Sequence, residues 1–277
     1  EGAGEDPYLG SIMAEAQVKG LQGPKLGTSG RLMATVKHFA GYGASEGGRD
    51  HDAANIPEAQ LYNVYLPPYR AAVDAGVGTV MSAYMDLNDV PATGNHWLLT
   101  DLLRDEWGFK GFVVSDNNAV HDLEPHGFAK DPTDAAARGL NAGIDMEMAT
   151  LANTYVNLPQ ALKEGRITLR QIDDSVRRIL EAKIELGLFD HPYVDDARLE
   201  AVKAQAPQFK AAARVAAERS VVLLRNSGGL LPLSKTAYTH VAVIGPLGDG
   251  KSDTLGPWVF AQDLDETITL THGLRDK

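Results

Sequence analysis

Four short apolar runs in the first half of the chain, each followed by polar residues, form the clearest pattern in this sequence. They cover residues 32–39, 77–84, 111–118 and 143–148. Short runs rich in β-branched and aromatic residues predict buried strands. Between these runs, apolar residues recur at helical spacing over residues 57–75, 96–107 and 133–142. This alternation of strand and helix predicts parallel strands, since consecutive parallel strands need such crossovers.

Further helices and loops complete the pattern. We predict helices over residues 11–20, 158–164 and 168–186, and loops over residues 1–10, 41–52 and 86–95. In the helix that Thr168 caps, apolar side chains at helical spacing predict a stripe that faces the core. The stripe consists of Ile172, Val176, Ile179, Leu180 and Ile184.

Chemically capable side chains lie at the ends of the apolar runs. They are Lys37 and His38, Met81 and Tyr84, Asp116, and Glu147. Catalytic residues of a TIM barrel occupy the carboxyl ends of its strands, so an α/β fold of this type fits better than an open doubly wound sheet. No phosphate-binding glycine loop follows these runs, which argues against a nucleotide site. A TIM barrel needs eight strands, so the four runs predict a partial (β/α)8 barrel.

Asp116 has the most informative position of these residues, because it directly follows the buried run at 112–114. An unpaired carboxylate is costly in a strand interior, so an acid at a strand's tip usually has a partner or a task. It could instead cap the helix that follows. The residues alone leave both readings open.

Composition narrows the classes of function. The 277 residues are 44% hydrophobic and 23% charged, which is typical of a globular protein with a sizeable core. A net charge of -11 argues against nucleic acid as a partner, and no apolar run is long enough to cross a bilayer. Cysteine is absent, and His121 and His126 lack a recognisable metal-ligand spacing. We therefore expect no metal, no cofactor and no membrane partner.

The pattern divides the chain into three parts. Residues 1–189 form the barrel part, residues 190–238 form a linker with a helix at 209–218, and a strand at 239–246 opens a further unit. The chain begins with Glu1 and ends soon after this strand. We expect this chain to be a fragment of a longer protein. The missing strands of the barrel would come from the rest of that protein or from another chain.

The motifs EGAGEDPYLG, VKHFAGYG, GFVVSD, GIDMEM, RSVVLLRNSGGLLPL and VAVIGP follow one another along the chain. Their ordered set resembles glycoside hydrolase family 3, and within it the bacterial periplasmic β-glucosidases. The resemblance implies that residues 1–189 are the C-terminal part of a TIM-type barrel and that residues 239–277 begin an α/β sandwich domain. It also implies a periplasmic or secreted location.

The resemblance further implies a retaining, exo-acting enzyme that releases β-D-glucose from the non-reducing end of β-glucosides. Asp116 would be the nucleophile that forms a covalent glycosyl-enzyme. Lys37 and His38 would hydrogen-bond sugar hydroxyls, and Met81 and Tyr84 would line the sugar pocket. The chain departs from the family at Met85, where Asn is common, and this departure concerns contacts to the aglycone.

The general acid/base is expected in the second domain, beyond Lys277. Asp122 and Glu124, shortly after Asp116, are alternative candidates that could equally be solvated helix acids. Asp50 and His51 could imitate the Asp-His dyad of the family's β-N-acetylglucosaminidases, although their loop looks more like that of the glucosidases.

Several functions stay open at this point. They are a β-glucosidase, a β-N-acetylglucosaminidase or β-xylosidase of the same family, and a non-catalytic carbohydrate-binding remnant. The expected partner is a β-glucoside or oligosaccharide substrate, and a homodimer is one possible assembly.

Overall fold

The strands and helices of the protein are known from a computed structural model that describes residues 3–193, 196–256, 259 and 261–277. The strands are β1 (Thr35–Phe39), β2 (Thr79–Ser82), β3 (Asp86–Leu87), β4 (Val90–Pro91), β5 (Phe112–Asn117) and β6 (Met146–Met148). The α-helices are α1 (Pro7–Gln22), α2 (Glu58–Gln60), α3 (Pro67–Asp74), α4 (Pro132–Ala142), α5 (Leu158–Lys163), α6 (Leu169–Glu185), α7 (Asp196–Ala204), α8 (Ala206–Ser220) and α9 (Leu270–Arg275). Two π-helical segments cover Leu61–Tyr65 and Trp97–Glu106.

A four-stranded parallel sheet lies at the centre, with the order β1, β2, β5, β6. The predicted α/β fold with parallel strands is therefore confirmed. Its two outer strands have no further strand beside them among the described residues. Four strands are half of what a closed eight-stranded barrel requires, and the completion of the barrel stays a prediction.

The two faces of the sheet pack against different partners. Val80 and Val113, which pair across β2 and β5, are fully buried in the main core. Leucines of the second π-helical segment belong to the same core. On the opposite face, Phe112 and Val114 pack with Ala182 of α6. Side chains alternate along a strand, so residues 112 and 114 share this face. The pairing of β5 with β6 shifts register between Val114 and Asn117, so this alternation does not continue regularly to residue 116.

The helix α1 begins earlier than predicted. Asp6 accepts a hydrogen bond from the Tyr8 amide at 2.9 Å, and Pro7 occupies the first helical turn. Both features favour a helix start, so residues 7–10 are helical where we predicted a loop. Residues 1 and 2 of that predicted loop lie outside the described part of the chain.

The predicted inner stripe of α6 is partly wrong. Val176, Leu180 and Ile184 are 48%, 41% and 63% exposed, whereas Ser175 and Ala182 are buried. The buried face is instead fixed by Asp145, just before β6, whose carboxylate accepts hydrogen bonds from Ser175 at 2.9 Å and Arg178 at 2.7 Å. A polar contact therefore determines the rotation of this helix.

The predicted loop at residues 86–95 contains an antiparallel hairpin formed by β3 and β4. Asn88 and Asp89 connect the strands with φ angles of 50° and 70°. Asn and Asp adopt this left-handed conformation more readily than most residues, and two such residues in succession are typical of a tight hairpin turn. The Asn-Asp pair in the sequence could therefore have predicted this hairpin.

The chain divides into two compact units, residues 1–196 and 197–277, at a point inside the predicted linker. That linker also contains α7, which we did not predict. The strand predicted at 239–246 is not formed, and no described residue of the second unit is in a strand. A lone strand has no hydrogen-bonding partner and is unstable by itself. The assignment of residues 239–277 to the start of a sandwich domain stays a prediction, and residues 194, 195, 257, 258 and 260 lie outside the described part.

Among the described residues, none of the helices is both long and apolar enough to cross a membrane.

Candidate active site

Asp116 lies at the carboxyl end of β5, in the middle of the sheet. Its side chain is 14% exposed, and it lies where the pairing of β5 with β6 shifts register. The helix-capping alternative is wrong, since the next helical turn, His121–Leu123, receives no side-chain cap. The carboxylate is thus directed to the end of the sheet where the loops after β1, β2 and β5 leave.

His38 from β1 is the principal partner of Asp116. The imidazole Nε2 lies 3.1 Å from Asp116 Oδ2, and the Asn117 amide donates to Asp116 Oδ1 at 2.7 Å. Burial alone would raise the pKa of Asp116, but the hydrogen bonds from His38, the Asn117 amide and the Tyr84 hydroxyl, with the charge of His38, hold this pKa below its ordinary value. The carboxylate is therefore ionised over the neutral pH range.

His38 is itself held in place from the helix side of the sheet. The Tyr69 hydroxyl, on α3, donates to the His38 carbonyl oxygen at 2.6 Å. The pairing of β1 with β2 shifts register between Val36 and Phe39, so regular alternation is interrupted around Lys37 and His38. Lys37 is exposed, and its ammonium group has no ion-pair or hydrogen-bond partner in the part of the chain that the structure describes.

Tyr84 follows β2 and contacts the strand end that carries Asp116. Its hydroxyl donates to the Asn117 carbonyl oxygen at 2.9 Å and lies within hydrogen-bonding reach of the Asp116 carboxylate. Burial and the negative charge of Asp116 raise the pKa of Tyr84 well above its ordinary value. Tyr84 therefore keeps its proton and can donate it to either acceptor.

The two methionines of this segment lie in apolar surroundings. Met81 pairs with Val114 in the sheet and packs against the small cluster of Phe112, Val114 and Ala182. Met85 is fully buried in the main core. The departure from the family at position 85 is thus accommodated by core packing.

Asp122 and Glu124 lie in the loop after β5, and each faces a histidine. Asp122 Oδ2 is 4.0 Å from His51 Nδ1, and Glu124 Oε1 is 3.5 Å from His121 Nδ1. That second contact does not satisfy hydrogen-bond geometry, since Glu124 Oε1 is buried without a donor among the described residues. Neither acid forms a hydrogen bond with Asp116.

Glu147 has a structural role in the middle of β6. Its two carboxylate oxygens accept hydrogen bonds from the Thr154 and Tyr155 amides at 2.9 and 2.7 Å. These amides belong to the start of a helical turn, where the backbone has no partners of its own. Glu147 therefore caps that turn.

Four residues that the sequence did not single out help to build the site. Ser115 accepts from the Met148 amide at 3.0 Å, and Asn118 accepts from the Thr150 and Leu151 amides, both at 3.0 Å. The Tyr42 and His38 rings form a T-shaped pair with a centroid distance of 5.2 Å, and the Tyr42 hydroxyl donates to Asp50. Asn117 contributes the amide described above. Ser115, Asn117 and Asn118 are neighbours of Asp116 in the sequence, so a role near the site could have been predicted for them. Nothing in the sequence around Tyr42 indicated such a role.

No group of three or more metal-ligating side chains is present among the described residues.

Comparison with known proteins places this geometry in a family. The family model described as "Glycosyl hydrolase family 3 N terminal domain" matches residues 1–182. A relative from Salmonella typhimurium named "Periplasmic beta-glucosidase" is 43% identical over all of this chain and 36% of its own length. A "Beta-xylosidase" of Formosa agariphila is 42% identical over 89% of this chain and 35% of its own length.

Solved structures give the same result. The β-glucosidase from Listeria innocua in complex with isofagomine superposes with a TM-score of 0.88 at 38% sequence identity, covering 100% of this chain and 39% of that one. The chain thus spans a little over a third of the length of these relatives. With the family model matching residues 1–182 and these relatives above 30% identity along the chain, the protein belongs to glycosyl hydrolase family 3.

Proposed function

We propose that Asp116 is the nucleophile of a retaining glycosidase that removes glucose from the non-reducing end of β-glucosides. The observation that carries this proposal is the ionised Asp116 carboxylate, 14% exposed at the end of β5, with Oδ2 3.1 Å from His38 Nε2. A carboxylate with a low pKa is available as a nucleophile at neutral pH. The names of the Salmonella and Listeria relatives support a β-glucosidase.

The chemistry consists of two displacements. In the first, an Asp116 oxygen bonds to the anomeric carbon while the glycosidic bond breaks and the leaving oxygen takes a proton from a general acid. In the second, water attacks the same carbon, its proton passes to the conjugate base, and the bond to Asp116 breaks. Two inversions give net retention of configuration.

The residues near the carboxyl ends of β1 and β2 would bind the sugar. The exposed Lys37 ammonium offers three donors, and His38 can both donate and accept, which suits neighbouring hydroxyls. Tyr84 would border the glucose pocket through its half-buried ring, while Met81 would contribute apolar surface beneath it.

We propose that the general acid/base comes from outside residues 1–277. Support comes from the contacts of Asp122 and Glu124, which face His51 and His121 rather than Asp116. If the true acid/base is replaced by a neutral residue, azide should restore activity, because azide attacks the glycosyl-enzyme without a general base. If Asp122→Asn or Glu124→Gln shows such rescue, this assignment is wrong.

Xylose is the second candidate sugar, because the Formosa agariphila relative is named a β-xylosidase. A pyranose without the C6 hydroxymethyl group would leave one edge of the glucose pocket unfilled. Rates on matched aryl β-glucoside, β-xyloside and N-acetyl-β-glucosaminide substrates would rank the three sugars, and a dominant rate on either of the latter two would overturn the choice of glucose.

The four strands around Asp116 would form half of a closed barrel. Four further βα units, from the same protein or from another chain, would complete the barrel around Asp116. The name of the Salmonella relative supports a periplasmic or secreted location.

The decisive experiment traps the glycosyl-enzyme. A 2-fluoroglucoside with a good leaving group should label the naturally encoded protein at Asp116, as read by peptide mass spectrometry, and Asp116→Asn should abolish hydrolysis of an aryl β-glucoside. Glucose binding without turnover or labelling would instead indicate the carbohydrate-binding remnant.

A further inference from the structure

His51 joins the loops that follow three neighbouring strands. It belongs to the loop after β1, and its ring stacks on that of Tyr84, after β2, with a centroid distance of 4.0 Å and an angle of 11° between the rings. Its Nδ1 lies 4.0 Å from Asp122 Oδ2, in the loop after β5, and its Nε2 lies 3.9 Å from Asp50 Oδ2. One side chain therefore contacts all three segments that surround Asp116.

The backbone of His51 indicates that this arrangement is specific. Its φ angle is 64°, in the left-handed region that is uncommon outside glycine, although histidine adopts it more readily than most residues. Its side chain is 43% exposed, so burial of apolar surface gives little reason for this conformation. The conformation instead allows the parallel stack on Tyr84 and places a carboxylate near each ring nitrogen.

We infer that His51 is a positioning residue for the reaction: by stacking on Tyr84 between Asp50 and Asp122, it holds the Tyr84 hydroxyl against the strand end that carries Asp116. This inference rests on the function proposed above. The loop after β1 is also held through Tyr42, which donates to Asp50 and contacts the His38 ring, and through the Ala54 amide, which donates to the Asp86 carbonyl oxygen at 2.8 Å. The stack would therefore align both partners of the nucleophile at once.

The consequence for Asp116 follows from its hydrogen bonds. Tyr84 is one of the groups that hold the pKa of Asp116 below its ordinary value, while burial acts in the opposite direction. If Tyr84 loses its support, the Asp116 carboxylate loses a hydroxyl within hydrogen-bonding reach but stays largely buried. Its pKa then rises, and the acidic limb of the profile of kcat/KM against pH moves to higher pH.

The test compares His51→Ala with His51→Phe in the naturally encoded protein. Alanine removes the stack, so we expect kcat on an aryl β-glucoside to fall about tenfold, as small misplacements of reacting groups do, with the acidic limb displaced upward. Phenylalanine keeps a flat ring that does not titrate. It should therefore restore most of kcat and return the acidic limb to its wild-type position. His96→Ala, whose ring faces Asp101 at 3.2 Å, is the matched control and should retain wild-type values.

Three outcomes would overturn the inference. Wild-type kcat and an unmoved acidic limb in His51→Ala would show that the stack positions nothing. Azide rescue of His51→Ala would show that His51 carries a proton itself. Loss of activity in both variants with an equal fall in melting temperature would show a purely structural role.

Labelling separates this inference from the proposed function. If the 2-fluoroglucoside labels Asp116 in the wild type but His51→Ala behaves as wild type, the positioning role fails and the nucleophile stands. If Asp116 is never labelled, the nucleophile fails; a ¹³C NMR titration of the Asp116 carboxyl then still tests the contact, because its pKa must rise in His51→Ala and recover in His51→Phe. An unchanged titration would refute the positioning role.

Discussion

At the scale of single residues, the state of Asp116 is a balance of opposed effects. Partial burial favours the neutral acid, whereas the donors around it favour the carboxylate, and the donors prevail. A folded-state pKa below the unfolded value means that the ionised form stabilises the fold above the unfolded pKa, near 4. This stabilisation is lost as pH falls through the folded-state pKa. The same donors therefore support both ionisation and stability.

Substitution of His38 should shift the pH dependence of activity in graded steps. His38→Gln can keep one N–H donor but loses the charge, and His38→Ala loses both. Because burial remains, the pKa of Asp116 should rise in the order wild type, Gln, Ala. We expect the acidic limb of kcat/KM on an aryl β-glucoside to move to higher pH in that order.

KM should also rise in both His38 variants if His38 binds a sugar hydroxyl, so the position of the limb, and not the rate at one pH, is the quantity to compare. His96→Gln serves as the control, with an unchanged profile. Superimposable limbs for wild type and His38→Ala would mean that His38 does not set the ionisation of Asp116.

How far the sequence predicts this site depends on whether a residue lies in a regular element. Asp116 and His38 end apolar runs, so the pattern of strands placed them at the same edge of the sheet. Tyr42 and His51 lie in a glycine-rich loop, where backbone freedom leaves no periodicity to show which side chains turn inward. Their contacts depend on Tyr84 and Asp122, which are distant in sequence, and only the fold brings them together.

At the scale of elements, Asp145 ties α6 and the second π-helical segment to β5. Its carboxylate is fully buried and receives Arg104, Arg178, Ser175 and the Val113 amide, the last at 2.8 Å. Burial lowers the pKa of Arg104, and the neighbouring Asp145 charge opposes that effect. The predicted stripe of α6 failed here, because apolar periodicity cannot register a buried ion pair that orients the helix.

Removal of the Asp145 charge should destabilise the fold strongly. Asp145→Asn leaves two arginines facing a buried site without a counter-charge, and breaking such pairs costs about 3–5 kcal/mol. Urea unfolding followed by circular dichroism would measure this loss. Asp173→Asn, an exposed acid on the same helix, is the control and should change stability by less than about 0.5 kcal/mol.

A result in which both aspartate variants unfold at the same urea concentration would mean that the Arg104 and Arg178 contacts contribute nothing net. In that case apolar packing of Ala182 and Ile179 against Phe112 and Val114 would be what holds α6 on the sheet.

Close approach of β2 and β5 depends on a glycine at the start of β5. A Cβ atom at Gly111 would lie 2.0 Å from the Gly78 carbonyl oxygen, which is backbone and cannot rotate away. Gly111→Ala should therefore destabilise the fold by at least about 2 kcal/mol, as overpacking does. Gly20 in α1 has nothing within 4 Å of such a Cβ, so Gly20→Ala should stabilise by about 0.5–1 kcal/mol.

Thermal unfolding of the two glycine variants provides the comparison, with opposite signs expected for the change in melting temperature. Equal melting temperatures for Gly111→Ala and the wild type would show that the strands can separate at this point without cost.

At the scale of the whole molecule, the presence of four parallel strands was predictable from the sequence, and the partners that surround each strand were not. Alternating apolar runs predicted four parallel strands, and all four form. The strand predicted at 239–246 does not form, because a strand depends on a neighbour that local pattern does not reveal. Val241 and Ile244 in that segment are 56% and 93% exposed. A strand predicted from the local sequence pattern thus forms only where other segments of the protein bury it.

The outer strands of the sheet should behave differently from the inner ones. In a polypeptide of residues 1–277, β2 and β5 have partners on both sides, whereas β1 and β6 each have one edge without a strand among the described residues. Met146 and Met148 of β6 are 44% and 36% exposed, so this edge is also apolar. Hydrogen exchange read by mass spectrometry should show slow exchange for residues 79–82 and 112–117, and faster exchange for residues 35–39 and 146–148. Equal protection of all four strands would mean that the edges are covered, either by self-association, which light scattering would detect, or by closure of the sheet within one chain. In the monomeric case, the partial barrel proposed here would be wrong.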